Sequence, residues 1–273
     1  MDRNIMHFES LPSTNDELKR LAEEGAAEGT VLIADEQTAG KGRQGRSFFS
    51  PKDTGIYMSI LLRPSLAPKD SLFITTAAAV AVAKAIRKVT DLDARIKWVN
   101  DIYIADRKIC GILAEAALDN SGGLRYVVLG IGINVATPKA GFPAEIEDIA
   151  GALEGNGVSE AKRDSAAEHD ARGETSDSAR GSSSLRRLLA DAVLDEFECL
   201  YDSFVESNFD KSYVAEQYRS MSAVIGRDIL VLDEGGPVRA HADDIDDDCR
   251  LIVTLEDGTR RILSSGEISI RLA

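Results

Sequence analysis

Between residues 95 and 135 four strand-like segments follow one another with almost no chain to spare: 95–99, 101–105, 108–118 and 124–135. Only Asp106 and Arg107 separate the second from the third. So short a gap holds a tight turn and nothing longer, which makes the pair antiparallel; parallel neighbours need a crossover of about a dozen residues. Upstream, residues 30–34 (TVLIA) and 55–63 (GIYMSILLR) read as further strands, the second closed by Pro64. Helical patterning lies elsewhere. Ser13, Thr14, Asn15, Asp16 and Glu17 form a helix start, with cap candidates ahead of acids that suit the positive end of the dipole. Leu18, Leu21 and Ala22 give that helix an apolar face, and Gly25 a stop. Residues 70–89 are alanine-rich and apolar round most of the circumference, which predicts a buried helix. Strands in succession with helices set apart give an α+β fold, with helices packed on a mixed, mostly antiparallel sheet.

A chain of 273 residues exceeds the usual single domain, so one large domain with a small appendage is expected. Composition breaks at residues 155–184, where Ser, Ala, Gly and charges replace large apolar side chains. Such a stretch cannot bury enough surface to order itself and reads as a disordered insertion. Helical spacing resumes over 185–204 through Leu188, Leu189, Val193, Leu194 and Phe197, and another helix is expected over 211–221. From about Ile225 short strands (229–232, 238–242, 251–255, 260–263 and 268–271) predict a small barrel-like β domain. The division is therefore 1–222 and 223–273.

No apolar run reaches the roughly 18–20 residues of a membrane span, and the first residues lack the apolar core of a secretory signal. The three cysteines (Cys110, Cys199, Cys249) and the three histidines are scattered, without disulfide or zinc spacing. A cytoplasmic protein is expected. Net charge is −14 with a pI of about 4.7. Such a surface repels nucleic acid and anionic lipid, so phosphate chemistry must occur at a local basic site.

One such site stands out. Residues 40–46 (GKGRQGR) carry Lys41, Arg43 and Arg46 among Gly40, Gly42 and Gly45, with no acid between them. The spacing G-x-G-x-x-G is met, but a dinucleotide fold needs a helix directly after it and an acid about 20 residues on. Here Phe48, Phe49, Ser50 and Pro51 follow, and Ser59, Ile60, Leu61 and Leu62 lie near the second position. A P-loop fails likewise, with Arg46 in place of its lysine and no helix to follow. A flexible surface loop explains the glycines but not the cations. The charge geometry points to a loop, disordered when empty, that closes over an anionic intermediate.

The second segment runs from Lys97 to Gly111 (KWVNDIYIADRKICG). Asp101 is suited to hold Mg²⁺ near nucleotide phosphates and Asn100 to hydrogen-bond a ligand, although Asn-Asp is also ordinary turn chemistry. Strict alternation puts Lys108, Cys110 and Ile112 on one face of their strand and Ile109, Gly111 and Leu113 on the other. A mid-strand glycine marks close approach by another group, and Gly130 and Gly132 repeat the feature on the later strand. Glycine-notched strands beside a lysine describe a flat slot for a ligand.

Taken in order, Ser13-Thr14-Asn15, the 40–46 loop, Lys97–Asp101, Arg107-Lys108 with Gly111-Ile112-Leu113, and the run from Gly130 to Asn134 resemble the catalytic domain of biotin–protein ligases. The resemblance covers nearly all of the chain outside 155–184. It implies a class II synthetase-like catalytic domain with a small SH3-like C-terminal barrel. The implied activity uses ATP and Mg²⁺ to form biotinyl-5′-AMP, then passes biotin to a lysine of a biotin carboxyl carrier domain. It further implies that Ser13, Thr14, Asn15, Gln37, Gly40, Lys41, Gly42, Arg43, Lys108 and Gly111 bind biotin. Arg43, Arg46, Lys97, Trp98, Asn100, Lys108 and Asn134 would serve the nucleotide, and Asp101 the metal. Lys108 and Arg43 would act in catalysis. Val99 stands where the family usually has proline, Phe48 where tryptophan is frequent, and Cys249 where glycine is common. Some members carry an N-terminal DNA-binding domain. With motifs starting at Ser13 and an acidic charge, a monofunctional ligase that binds no nucleic acid is expected, as a monomer or homodimer. The rivals are a lipoate–protein ligase, whose arginine-rich and glycine-triplet motif is missing, and a protein that only sequesters biotin.

Overall fold

The structure is a computed structural model that describes residues 2–157, 177–207, 209–233, 236–264 and 267–269. Seven strands, β1 (Asn4–Phe8), β2 (Thr30–Ala34), β3 (Gly55–Leu62), β4 (Arg95–Lys97), β5 (Asp101–Ile104), β6 (Arg107–Leu118) and β7 (Leu124–Asn134), form one sheet in the order β1-β2-β3-β7-β6-β5-β4. Only β1 and β2 run parallel; every other pair is antiparallel. The fold is thus α+β around a mixed, mostly antiparallel sheet, as the succession of strands requires. β1 was not legible in the sequence. It is solvent-exposed along nearly its whole length and so carries no buried alternation.

Helices cover both faces. α1 (Thr14–Glu23), capped by Ser13, sets Leu18 and Ala22 against Leu32, Leu61, Tyr126 and Val128. α2 (Leu72–Thr90) is buried nearly all round, with Ala77, Ala78, Ala79, Ala81, Ala83 and Ala85 fully inaccessible. Small side chains let it lie close to the sheet on one side while α3 (Asp177–Glu206) packs on the other. Because α3 starts at Asp177, residues 177–184 are helical, and composition misassigned them to the disordered stretch. Residues 158–176 of that stretch lie outside the described residues.

After α4 (Ser212–Ser220), strands β8 (Asp228–Asp233), β9 (Gly236–Ile245), β10 (Leu251–Leu255), β11 (Arg260–Leu263) and β12 (Glu267–Ser269) form an antiparallel sheet ordered β11-β10-β9-β8-β12. β11 and β12 occupy opposite edges and are not paired with each other among the described residues, so the antiparallel sheet is seen there without closure into a barrel. The last predicted strand extends past residue 269, outside the described residues. Ile96 joins the two parts, donating to Met221 O at 2.8 Å and accepting from Ala223 N at 2.8 Å.

Candidate active site

A cavity of about 380 Å³ lies between the start of α1, the 40–48 loop, the turn after β4 and the face of β6 and β7. Ser13, Thr14, Asn15, Gln37, Lys41, Gly42, Arg43, Arg46, Lys97, Trp98, Asn100, Asp101, Lys108 and Gly111 all line it. Two expected residues do not. Gly40 is needed for packing, since a Cβ there would meet Phe48 O at 2.4 Å and Ser50 Oγ at 2.6 Å. Asn134 donates its amide to Gly151 O at 3.0 Å, which pins the following loop to the sheet.

The glycine-rich loop is folded over the cavity. Gln44 (φ 55°) and Gly45 (φ 75°) make a left-handed turn, closed by a hydrogen bond from Gly42 N to Arg46 O at 2.7 Å. The Gly42 amide therefore serves the loop itself. Arg43 Nη1 donates to Asn100 Oδ1 at 2.9 Å, joining loop to turn. Lys41 Nζ donates to Asp16 Oδ1 at 2.7 Å, so the acid that seems missing from the loop comes from α1. Burial opposes charge on Asp16, but hydrogen bonds from Lys41 and Lys19 hold its carboxyl below the usual range.

The turn is held from several sides. Asn100 donates from Nδ2 to Ile112 O at 2.9 Å, and its carbonyl accepts from Ile112 N at 3.0 Å. Trp98 is buried and donates Nε1–H to Cys249 O at 3.0 Å, across to the second sheet. The buried Tyr218 hydroxyl of α4 donates to Val99 O at 3.1 Å. Lys108 Nζ lies 2.6 Å from Asp101 Oδ1 as an ion pair, although that buried oxygen makes no well-aligned hydrogen bond. Strict alternation had placed Lys108 and Gly111 on opposite faces. The pairing of Tyr103 with Lys108 and of Ile102 with Cys110 leaves Ile109 as an extra residue, and this bulge turns Lys108 to the Gly111 side. A Cβ on Gly111 would stand 3.3 Å from Lys108 Cε.

The opposite wall is a network of neutral groups. Gln37 Oε1 accepts from Thr14 N at 2.8 Å and from Thr14 Oγ1 at 3.0 Å. Its Nε2 donates to Ser50 Oγ at 3.1 Å. Ser59 Oγ sits 2.7 Å from Thr14 Oγ1 and 2.6 Å from Asn15 Oδ1, while Asn15 Nδ2 donates to Glu115 Oε2 at 2.8 Å. Sequence reasoning missed Ser59, Glu115 and Tyr218; the signal for the first two was a hydroxyl and an acid in otherwise apolar strands. Gly111, Gly130 and Gly132 do line the cavity, but two of these notches are shared with neighbouring side chains. A Cβ on Gly132 would meet the Phe48 ring at 2.5 Å and one on Gly130 would meet Asn15 Oδ1 at 2.3 Å, so these notches receive the protein's own side chains.

Residues 7–134 match the biotin/lipoate A/B protein ligase family and residues 224–271 the biotin protein ligase C-terminal domain. The bifunctional ligase/repressor BirA of Bacillus spizizenii is 31% identical over 97% of this chain and 74% of its own length. The biotin–[acetyl-CoA-carboxylase] ligase of Mycobacterium tuberculosis is 30% identical, over 94% of this chain and 85% of its own. With BirA of Bacillus subtilis identity is 39%, but the match spans only 47% of that protein. The structure of the Aquifex aeolicus biotin protein ligase in complex with biotin and ATP superposes with a TM-score of 0.72, at 26% identity and 98% coverage of both chains. The chain belongs to the biotin–protein ligase family.

Proposed function

We propose that this protein is a biotin–protein ligase that forms biotinyl-5′-AMP from biotin and ATP and then biotinylates one lysine of a biotin carboxyl carrier domain. A carboxylate does not acylate an amine at neutral pH because its oxygen is a poor leaving group. In the first step a biotin carboxylate oxygen bonds to the α-phosphorus of ATP, and the bond to the departing pyrophosphate breaks. In the second the lysine nitrogen attacks the acyl carbon, AMP leaves with the carboxylate's oxygen, and the amine gives up its proton. The single observation that carries this reading is one cavity bringing together Lys108, Arg43, Asn100 and Asp101 on one side and Thr14, Asn15 and Gln37 on the other.

The neutral wall suits a cyclic urea, which offers donors and an acceptor. Lys108 neutralises charge beside the reacting carboxylate and phosphate, and Arg43 with Arg46 closes over the phosphate. Asn100, Lys97 and Trp98 border the nucleotide. Among the described residues no cluster of three metal-ligating side chains exists. Asp101 Oδ1, a buried carboxylate oxygen that makes an ion pair with Lys108 but no well-aligned hydrogen bond, suits Mg²⁺ of the kind held chiefly by substrate phosphates. That ion would supply charge neutralisation on the triphosphate. We further read residues 1–222 as the catalytic unit and 223–273 as an SH3-like appendage. With a net charge of −14 the partner is a protein and not nucleic acid, and the chain works in the cytoplasm as a monomer or homodimer. No helix among the described residues is long and apolar enough to cross a membrane. The test is mass spectrometry of a carrier domain incubated with this protein, ATP, Mg²⁺ and either biotin or lipoate. Addition of biotin alone is expected. Lipoylation in its place, or biotin binding without pyrophosphate release, refutes it.

A further inference from the structure

Glu115 of β6 is tied to the neutral wall although it sits behind it. Its Oε2 accepts from Asn15 Nδ2 at 2.8 Å and its Oε1 from Lys19 Nζ at 2.7 Å. Asn15, Thr14 and Ser59 are all buried, at 4%, 3% and 0% exposure, so bulk water does not decide which way their hydrogen bonds run. An ionised carboxylate only accepts. Asn15 must therefore turn Nδ2 towards Glu115 and Oδ1 towards Ser59.

The protons can then be counted. Three oxygen–oxygen contacts follow in series: Asn15 Oδ1 with Ser59 Oγ, Ser59 Oγ with Thr14 Oγ1, and Thr14 Oγ1 with Gln37 Oε1. Only the two hydroxyls supply protons for them, because both amide oxygens are pure acceptors. One contact is left without a proton, and the wall has more acceptors than donors. Flipping Asn15 would supply the third proton, but it would set a carbonyl 2.8 Å from the Glu115 carboxylate.

We propose that Glu115 is a positioning residue for substrate recognition: its charge fixes the Asn15 amide and so leaves the wall short of protons, which selects a ligand head that presents N–H groups. The inference rests on the reading of this wall as the biotin site, where the N–H groups are those of the cyclic urea. Lys19 holds Glu115 in place. Its own contacts to Glu115 and Asp16 are partly exposed and contribute little to selection.

The experiment measures adenylate formation by the whole chain with biotin and ATP varied separately, for Glu115→Ala, Glu115→Gln and Thr14→Ala. Glu115→Ala is expected to raise the KM for biotin about tenfold, the scale of losing one hydrogen bond to a charged group. Its kcat and its KM for ATP stay within about twofold. Glu115→Gln, which keeps an acceptor but not the charge that enforces direction, is expected to fall between it and wild type. A merely structural role lowers kcat through the active fraction, moves both KM values alike and gives no gradation between Gln and Ala; that pattern overturns the proposal. A wild-type biotin KM in Glu115→Ala, or in Glu115→Gln if the alanine variant does not fold, overturns it as well. Thr14→Ala separates the layers. If it weakens biotin binding while the Glu115 variants do not, only the role of Glu115 fails; if Thr14→Ala binds biotin as wild type does, the reading of the wall fails.

Discussion

Removing one oxygen from α4 tests how the turn that carries Asn100 and Asp101 is held. In Tyr218→Phe the ring stays and only the hydroxyl that donates to Val99 O at 3.1 Å is lost. Both residues are buried, Tyr218 at 0% and Val99 at 3% exposure, and no other donor reaches that carbonyl among the described residues. Burial holds the Tyr218 phenol well above its ordinary pKa, so it remains a neutral donor throughout the working range. An orphaned buried carbonyl costs about 1–3 kcal/mol. At roughly 2.1 cal/mol/K per residue, 273 residues give an unfolding entropy near 0.57 kcal/mol/K, so the melting temperature should fall by about 2–5 °C. The turn keeps its second tether, the Trp98 bond to Cys249 O, so it loosens without detaching. Steady-state adenylation should show the KM for ATP raised severalfold and the KM for biotin within about twofold. An unchanged melting temperature with an unchanged KM for ATP refutes the claim that Tyr218 holds this turn in place.

Three further outcomes follow from the site. Lys108→Ala should slow adenylation by about 10²–10³-fold, the scale of one preorganised donor, and a wild-type single-turnover rate would remove Lys108 from the chemistry. Arg43→Ala should still form the adenylate but release it into solution, because the link to Asn100 is gone; retention equal to wild type, measured by filtration of the complex, defeats that role. Gly132→Ala would place a methyl 2.5 Å from the Phe48 ring, so the ring must move into the cavity. Biotin affinity, read by calorimetry, should drop at least tenfold, and the double variant with Phe48→Ala should recover part of it; no recovery would mean that the strand had shifted and not the ring.

The elements that position the site were readable wherever burial leaves a period. β2 and β3 are buried on both faces and α2 nearly all round, and each was found within two residues of its ends. The exposed strand β1 left no such mark. For the site, the order of short motifs located the cavity, but single residues could not be assigned from spacing alone. A glycine reads the same whether its missing Cβ makes room for a ligand or for a neighbour: Gly132 makes room for Phe48, Gly130 for Asn15 and Gly40 for the Phe48 carbonyl. Lys108 changed face because one bulge breaks a period of two. Asp16 and Glu115 had no visible function because their partners, Lys41 and Asn15, are 25 and 100 residues away.

The same contacts bear on how firmly the 40–46 loop is shut. The Lys41–Asp16 pair is almost half exposed on both sides, 43% and 45%, and an ion pair of that kind contributes at most about 1 kcal/mol. The Arg43–Asn100 hydrogen bond, donated by a guanidinium, adds roughly 1.5–3 kcal/mol and is the stronger of the two tethers. An adenylate whose phosphate came within reach of Arg43 and Arg46 would add charge-assisted bonds to that link. A lid built in this way keeps its shape when empty and closes more tightly when loaded. The compensating acid on α1 is then part of the device: it keeps Lys41 placed without holding the loop shut.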